Sequence, residues 1–265
     1  ADANPVCEGS TVNFSATPTN GGSAPDYLWT VNGIGVGTNS PTYSYEPANA
    51  DVVTCELTSN ETCTSGNPAT SSELTMTVIA TPVIATPADV AVCDLFFLPT
   101  LDVGKYYSGT GGTGMLVSEL ITTSQTVYIY AETGTTPNCT AEHSFKVDIT
   151  NTPTADDPAD ITACDSYTLP ALTVGSYFTE SGGTGTPLFA GNNITTTQTV
   201  YVFAQNGICN NENSFEVTIN HTPVIATPAD VAVCDLFTLP TLGVGKYYSG
   251  TGGTGMLVSM SITTS

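Results

Sequence analysis

The sequence predicts an all-β chain built as a tandem array of small β-sandwich domains. A long cassette recurs, with Cys93, Cys164 and Cys234 at the same place in each copy, 71 and then 70 residues apart. A fixed period carrying one supersecondary unit is the signature of a tandem array. Apolar residues alternate with polar ones at period two, and no stretch shows a convincing 3.6-residue period. Thr-Pro pairs at Thr81-Pro82, Thr152-Pro153 and Thr222-Pro223 punctuate the copies. The expected partition is 1–80, 81–151, 152–221 and 222–265, the last a partial copy.

Residues 1–80 read as a sandwich of a different kind. Val12, Phe14 and Ala16 alternate on one strand, and Leu28-Trp29-Thr30-Val31 precedes an Asn32-Gly33 turn. Val53, Cys55 and Leu57 share the face of a third strand, and Leu74, Met76 and Val78 that of a fourth, Glu73–Ile79. Trp29, the only Trp, sits where an immunoglobulin-like domain carries its core Trp, with Cys55 on the facing strand and Ala16 where that Cys would normally find its partner. The array is therefore expected to consist of small immunoglobulin-like β-sandwiches.

The complete copy at 152–221 supplies the cassette pattern. Gly175-Ser176-Tyr177-Phe178 leads into the turn Ser181-Gly182-Gly183-Thr184-Gly185. Thr199–Ala204 puts Val200, Val202 and Ala204 on one face and Tyr201 and Phe203 on the other, as expected of a central strand covered on both sides. Phe215, Val217 and Ile219 then alternate with polar residues. Residues 222–265 match 81–124 at 40 of 44 positions and stop before the counterparts of those two strands. Either further cassettes follow or a neighbouring subunit donates the strands, because a sheet without its central strand exposes unpaired edges. The short linkers, with φ fixed at proline, predict a stiff string of domains.

Eight cysteines follow the repeat. Within-cassette pairs Cys93–Cys139 and Cys164–Cys209 are expected, each stabilising its unit by roughly 3–4 kcal/mol on the chain-entropy model. In the first domain a Cys7–Cys63 clamp leaves Cys55 as a buried thiol near Trp29, with Cys7–Cys55 as the competing pairing. Small disulfide-bonded β domains point to an oxidising, extracellular location. Zinc lacks a C-x-x-C pair or a nearby His.

Charge excludes several partners. With 24 Asp and Glu against 3 Lys and no Arg, the formal charge is -21. Such a surface repels nucleic acid and anionic membrane, and no apolar run is long enough for a span. Asp156 and Asp157 stand beside Asp160 and Asp165, which recur as Asp89 and Asp94 and again as Asp230 and Asp235. Calcium bound there would stiffen the joints between domains; no other cofactor is expected.

Motifs for chemistry are weak. Gly109–Gly114 and Gly250–Gly255 satisfy G-x-G-x-x-G, but no helix follows to receive a phosphate. His143 and His221 are the only histidines and have no partner spaced as a triad needs. Asn13, Asn60, Asn138 and Asn193 begin N-x-S/T sequons, and Asp165-Ser166 resembles the start of a bacterial O-glycosylation motif. No catalytic residue is expected.

The segments VCEGSTVNFSATPTNGG, YLWTVNG and DVVTCELTSN resemble the PKD-like, immunoglobulin-fold domains of large Bacteroidota surface proteins. PADITACDSYTLPALTVGSYF, GGTGT, ITTTQTVYV and NSFEVTI are similar to repeats of SprB-type gliding adhesins. The resemblance implies type IX export, display on the bacterial cell surface, and a role in adhesion or gliding, with self-association or other surface components as partners. The leading expectation is thus a stiff adhesive rod or filament. One alternative is a glycan-binding array using Tyr106, Tyr107, Tyr247 and Tyr248; another is a non-catalytic spacer of a larger secreted enzyme.

Overall fold

A computed structural model describes residues 1–114, 118–258 and 261–263. The chain is all-β, a tandem array of small immunoglobulin-like sandwiches. Among the described residues the only helical element is a single 3-10 turn at Thr251–Gly253. The chain separates into two compact units, residues 1–151 and 152–265.

In the first unit, Asp26–Val31 pairs antiparallel with Ile34–Val36 and with Val52–Thr58. The intervening Asn32 and Gly33 have φ of 53° and 76°, as a tight hairpin turn following the strands' own twist requires. Val12–Ser15 pairs with Thr42–Tyr45 in a second sheet. Val12, Phe14, Trp29, Val53, Cys55 and Met76 bury themselves between the two sheets. The Trp29 indole N–H donates to the Ser40 carbonyl at 2.9 Å, which satisfies the one polar atom that its burial would otherwise strand.

The strand expected over Glu73–Ile79 is broken in two. Leu74–Thr75 pairs antiparallel with Val52 and Val53, whereas Val78–Ile79 pairs parallel with Val6–Cys7. Met76 sits at the break, exchanging backbone hydrogen bonds with Asp51 and Ala50. Crossing there lets the chain pair with Val52–Thr58 on one side of the break and with Val6–Cys7 on the other, which an unbroken period-two pattern does not reveal.

The repeat at residues 90–150 has one sheet in which Val90–Cys93 lies parallel to Thr140–Thr150, followed by Gln125–Glu132 and Lys105–Tyr107. Phe96–Phe97 and Leu120–Ile121 form the opposing pair. Val127, Ile129, Phe145 and Val147 face Leu98 and Ile121 in the core.

In the second unit the same plan recurs, with Ile161–Cys164 parallel to Cys209–Asn220, then Gln198–Asn206, Ser176–Glu180 and Thr184–Leu188. Val200, Val202 and Ala204 are buried on one face of Gln198–Asn206. Tyr201 and Phe203 on the other are half-buried, so that strand is covered fully on one side only. Residues 222–263 contribute one pair, Leu236–Thr238 with Ser261–Thr263; Ser265 lies outside the described residues.

Candidate functional site

The residues that recur with defined geometry lie at the two ends of each domain. In the first domain Val6–Cys7 runs parallel to Val78–Ile79, with Cys7 level with Ile79, so Cys7 marks the end from which the chain leaves. Cys93 is level with Thr150 and Cys164 with Asn220, the same position twice more. The Cys93 carbonyl accepts from Leu95 N at 2.6 Å and the Cys164 carbonyl from Ser166 N at 2.7 Å. Between them Asp94 and Asp165 share a left-handed conformation, φ 63° and 62°.

Cys139 and Cys209 occupy the opposite end. Cys209 opens the last strand of its repeat and Cys139 immediately precedes its own, each just after a hairpin turn, and each is 1% exposed. Around Cys139 the turn is closed by the Thr133 hydroxyl, which accepts from Cys139 N at 3.0 Å, and by Asn138, whose side-chain oxygen accepts from Gly134 N at 2.9 Å.

Cys7 is bonded to Cys139, with 5.6 Å between their Cα atoms and 132 residues between them in sequence. This corrects the expected Cys7–Cys63 and Cys93–Cys139 bonds and excludes Cys7–Cys55. Cys93 and Cys209 are each held in a disulfide, whereas Cys63 and Cys164 are exposed free thiols, so Cys164–Cys209 is corrected as well. The reason is geometric. Cys93 and Cys139 stand at opposite ends of the 11-residue strand Thr140–Thr150, on the order of 35 Å apart at ~3.3 Å per residue. A disulfide needs Cα atoms within about 7 Å. The Cys164 and Cys209 ends are separated by the 12-residue strand Cys209–Asn220. Sequence spacing contained no sign of this; the parallel pairing of the first and last strands would have been the signal. Cys55 is a buried free thiol opposite Trp29, as expected, and burial pushes that thiol up.

The segments after the Thr-Pro pairs are not loose tethers. Ile84 packs against the first repeat's core, and Ala155, its counterpart, is buried in the second's. Ala155 N donates to the Asn211 side chain at 3.0 Å, and Asn213 Nδ2 donates to the Ala155 carbonyl at 3.0 Å. In the first repeat His143, at the position of Asn213, meets the Pro87 carbonyl through Nε2 at 3.0 Å; that nitrogen therefore donates. His143 is a strut.

Four of the eight calcium candidates serve as clamps on backbone amides. Asp89 accepts from Lys146 N and Asp160 from Glu216 N, both at 2.7 Å. Asp156 accepts from the amides of Thr173 and Val174. Asp165 accepts from Thr222 N and its hydroxyl at 2.7 and 2.6 Å, and these bonds, the hydroxyl's first, hold its carboxyl below the usual range. Asp94 adopts the turn described above, and Asp157, Asp230 and Asp235 are exposed. Among the described residues no three His, Cys, Asp or Glu side chains gather into a group that could hold a metal ion.

The glycine turns are likewise occupied by the protein. Gly111 N donates to Glu142, and Gly182 N to its counterpart Glu212 at 2.6 Å. Gly112 has φ 64°, and a Cβ there would lie 2.7 Å from the Tyr130 ring; Gly183, φ 67°, meets Phe203 in the same way. Glycine is needed for both conformation and clearance, which leaves no cradle for phosphate. Tyr106, a candidate sugar platform, is 9% exposed and donates its hydroxyl to the Pro99 carbonyl at 2.8 Å. Tyr247 repeats that bond to Pro240, Tyr107 stands edge-on to Tyr130, and Tyr248 is exposed. The four sequon asparagines all make side-chain hydrogen bonds.

No protein-family model and no curated protein matches the sequence. Among solved structures, the chain is similar to Drosophila OTK extracellular domains 3–5, at 9% identity and TM-score 0.34 over 82% of this chain and 94% of that one. Titin domains I67–I69 give 12% identity and TM-score 0.34, covering 82% and 95%. A Ca2+-stabilised adhesin with which an Antarctic bacterium binds ice gives 13% and 0.26, covering 82% and 70%. At these identities and TM-scores the likenesses carry nothing about what this chain binds.

Proposed function

We propose that this chain is a structural section of an extracellular, cell-surface adhesin: a stiff row of sandwiches that holds an adhesive contact away from the cell. The observation that carries this reading is the Cys7–Cys139 bond. Residues 80–89 already join the first domain to the first repeat, so the disulfide is a second covalent connection between the same two bodies. Two connections at separate points remove most of the bending and twisting that one tether allows. Recognition and catalysis do not require such a device; transmitting force and keeping reach do.

Other features agree. Disulfides belong to oxidising, extracellular surroundings, and a formal charge of -21 keeps neighbouring rods apart. The resemblance of the repeats to gliding-adhesin cassettes supports a bacterial surface setting with type IX export, and a filament built by self-association or with other surface components. Negative-stain imaging of the native surface material, with and without reductant, tests the proposal. Straight rods that become bent on reduction are expected; compact or equally flexible particles in both conditions would refute it.

A further inference from the structure

We infer that Cys164 is the receiving half of a further inter-domain disulfide, whose other half is the cysteine at the turn of a β-hairpin of this repeat type. This concerns the joint's chemistry and holds whether or not the array is adhesive.

The assignment starts from position. Cys7, Cys93 and Cys164 each lie on a first strand that runs parallel to the last strand of the domain, level with that strand's end. Cys7 is bonded to the hairpin cysteine Cys139, and Cys93 is also in a disulfide. Cys164 repeats the local backbone of Cys93 down to the positive φ of the following Asp, yet presents an exposed thiol. Both hairpin cysteines, Cys139 and Cys209, are bonded. The position is thus a bonding position in two of the three instances that lie on such a first strand.

A second observation supplies the place for the partner. In residues 222–258 an apolar groove of about 360 Å³ is lined by Leu239, Leu242, Tyr247 and Val258, among others. In the first repeat the counterparts of Leu239 and Tyr247 are Leu98 and Tyr106, which are buried against Val127, Ile129, Phe145 and Val147 of the Gln125–Glu132/Thr140–Thr150 hairpin. Val231 and Val233 are 53% and 46% exposed, whereas their counterparts Val90 and Val92 lie along Thr140–Thr150. The groove is therefore lined by the counterparts of the residues that seat that hairpin in the first repeat, and the hairpin's turn carries the cysteine that Cys7 takes in the first joint.

The bond forms by two exchanges with a small disulfide such as oxidised glutathione. The Cys164 thiolate attacks the small disulfide and releases one glutathione thiolate. The hairpin thiolate then attacks the Cys164 sulfur and expels the second. Two protein thiols become one disulfide, and the oxidant leaves as two glutathione thiols.

The test is the full chain extended after Ser265 by a copy of residues 125–151, refolded in a glutathione redox buffer. Alkylation without reduction followed by peptide mapping should find Cys164 joined to the extension's cysteine, and replacing that cysteine with Ser should return Cys164 to full alkylation. Cys164 alkylated while Leu239 and Tyr247 gain protection from exchange or proteolysis would overturn the inference. So would Cys164 joined to Cys63 of a second copy. Should the extended chain not fold, the native protein prepared without reductant decides: a Cys164–hairpin peptide supports the assignment, and an alkylated Cys164 overturns it. Non-reducing electrophoresis of that native material separates a hairpin of the same chain, which migrates as monomer, from one donated by another copy.

Discussion

The sulfur of Cys7 is bonded to that of Cys139, at the near end of the Thr140–Thr150 strand, while Cys93 stands level with that strand's far end. Each repeat thus carries one cysteine at each pole. The Cys7–Cys139 staple locks the first domain to the first repeat instead of closing a loop within one domain.

Cys7→Ser should leave both sandwiches folded and loosen the joint. Small-angle scattering should show a larger spread of intraparticle dimensions, and residues 80–89 should become cleavable. On the chain-entropy model, closing so long a loop contributes about 5 kcal/mol. Melting should accordingly fall in the variant, and fall further in the reduced wild type, which also loses the disulfide bonding of Cys93 and Cys209. A variant as rigid and as stable as wild type would contradict the joint's role.

Thiol reactivity should separate by burial. In the 265-residue chain, with no further hairpin added, Cys63 and Cys164 should alkylate rapidly, whereas Cys55, buried with its thiol pushed up, should react only after unfolding. Time-resolved alkylation with mass spectrometry measures all three in one experiment.

Asp51 should make the first domain acid-sensitive. Its carboxylate accepts from Asn32 Nδ2 at 2.8 Å, Ala48 N at 2.9 Å and the Tyr45 hydroxyl at 3.2 Å. The Asn32 bond above all holds its pKa below the ordinary 3.8. The folded value is depressed, so the stabilisation is complete above the unfolded value and is lost as pH falls through the lower folded one. Wild type should melt above Asp51→Asn at pH 7, and the gap should close below about pH 4. A gap constant down to pH 2 would show that the charge contributes nothing.

Phe215→Ala should destabilise the second unit by about 3–5 kcal/mol, because the ring is 2% exposed and packs with Tyr177 at 6.2 Å between centroids. Chemical denaturation followed by backbone exchange should place the loss in residues 152–221 and spare residues 1–79.

Glu212→Gln should loosen the glycine turn by removing a charged acceptor from Gly182 N and Ser181 Oγ. A cost of about 1–2 kcal/mol is expected. Amide exchange at Gly182 should rise before that at Val202 does.

Much of the architecture was legible because period-two burial is local. Val200, Val202 and Ala204 turn inward, and so do Phe215, Val217 and Ile219, as their alternation indicates. The Asn32-Gly33 turn and the buried Cys55 thiol opposite Trp29 were legible on the same footing. The role of the acidic residues was not legible, because an Asp that caps an amide and an Asp that binds calcium have the same spacing. The sequence left open whether Tyr106 packs inward or forms a sugar platform, because a ring beside a glycine turn points inward or outward according to packing; here it is buried.

The sequence by itself determined the repeat, the β class and the inward face of each strong strand, since these follow from periodicity within a few neighbouring residues. Only the tertiary structure decided the disulfide partners. Parallel pairing of the first strand with the end of the last places two cysteines that are 46 residues apart in sequence at opposite poles of the domain, and brings together two that are 132 apart. A bond that spans 5.6 Å between Cα atoms follows distance in space, and separation along the chain does not set that distance.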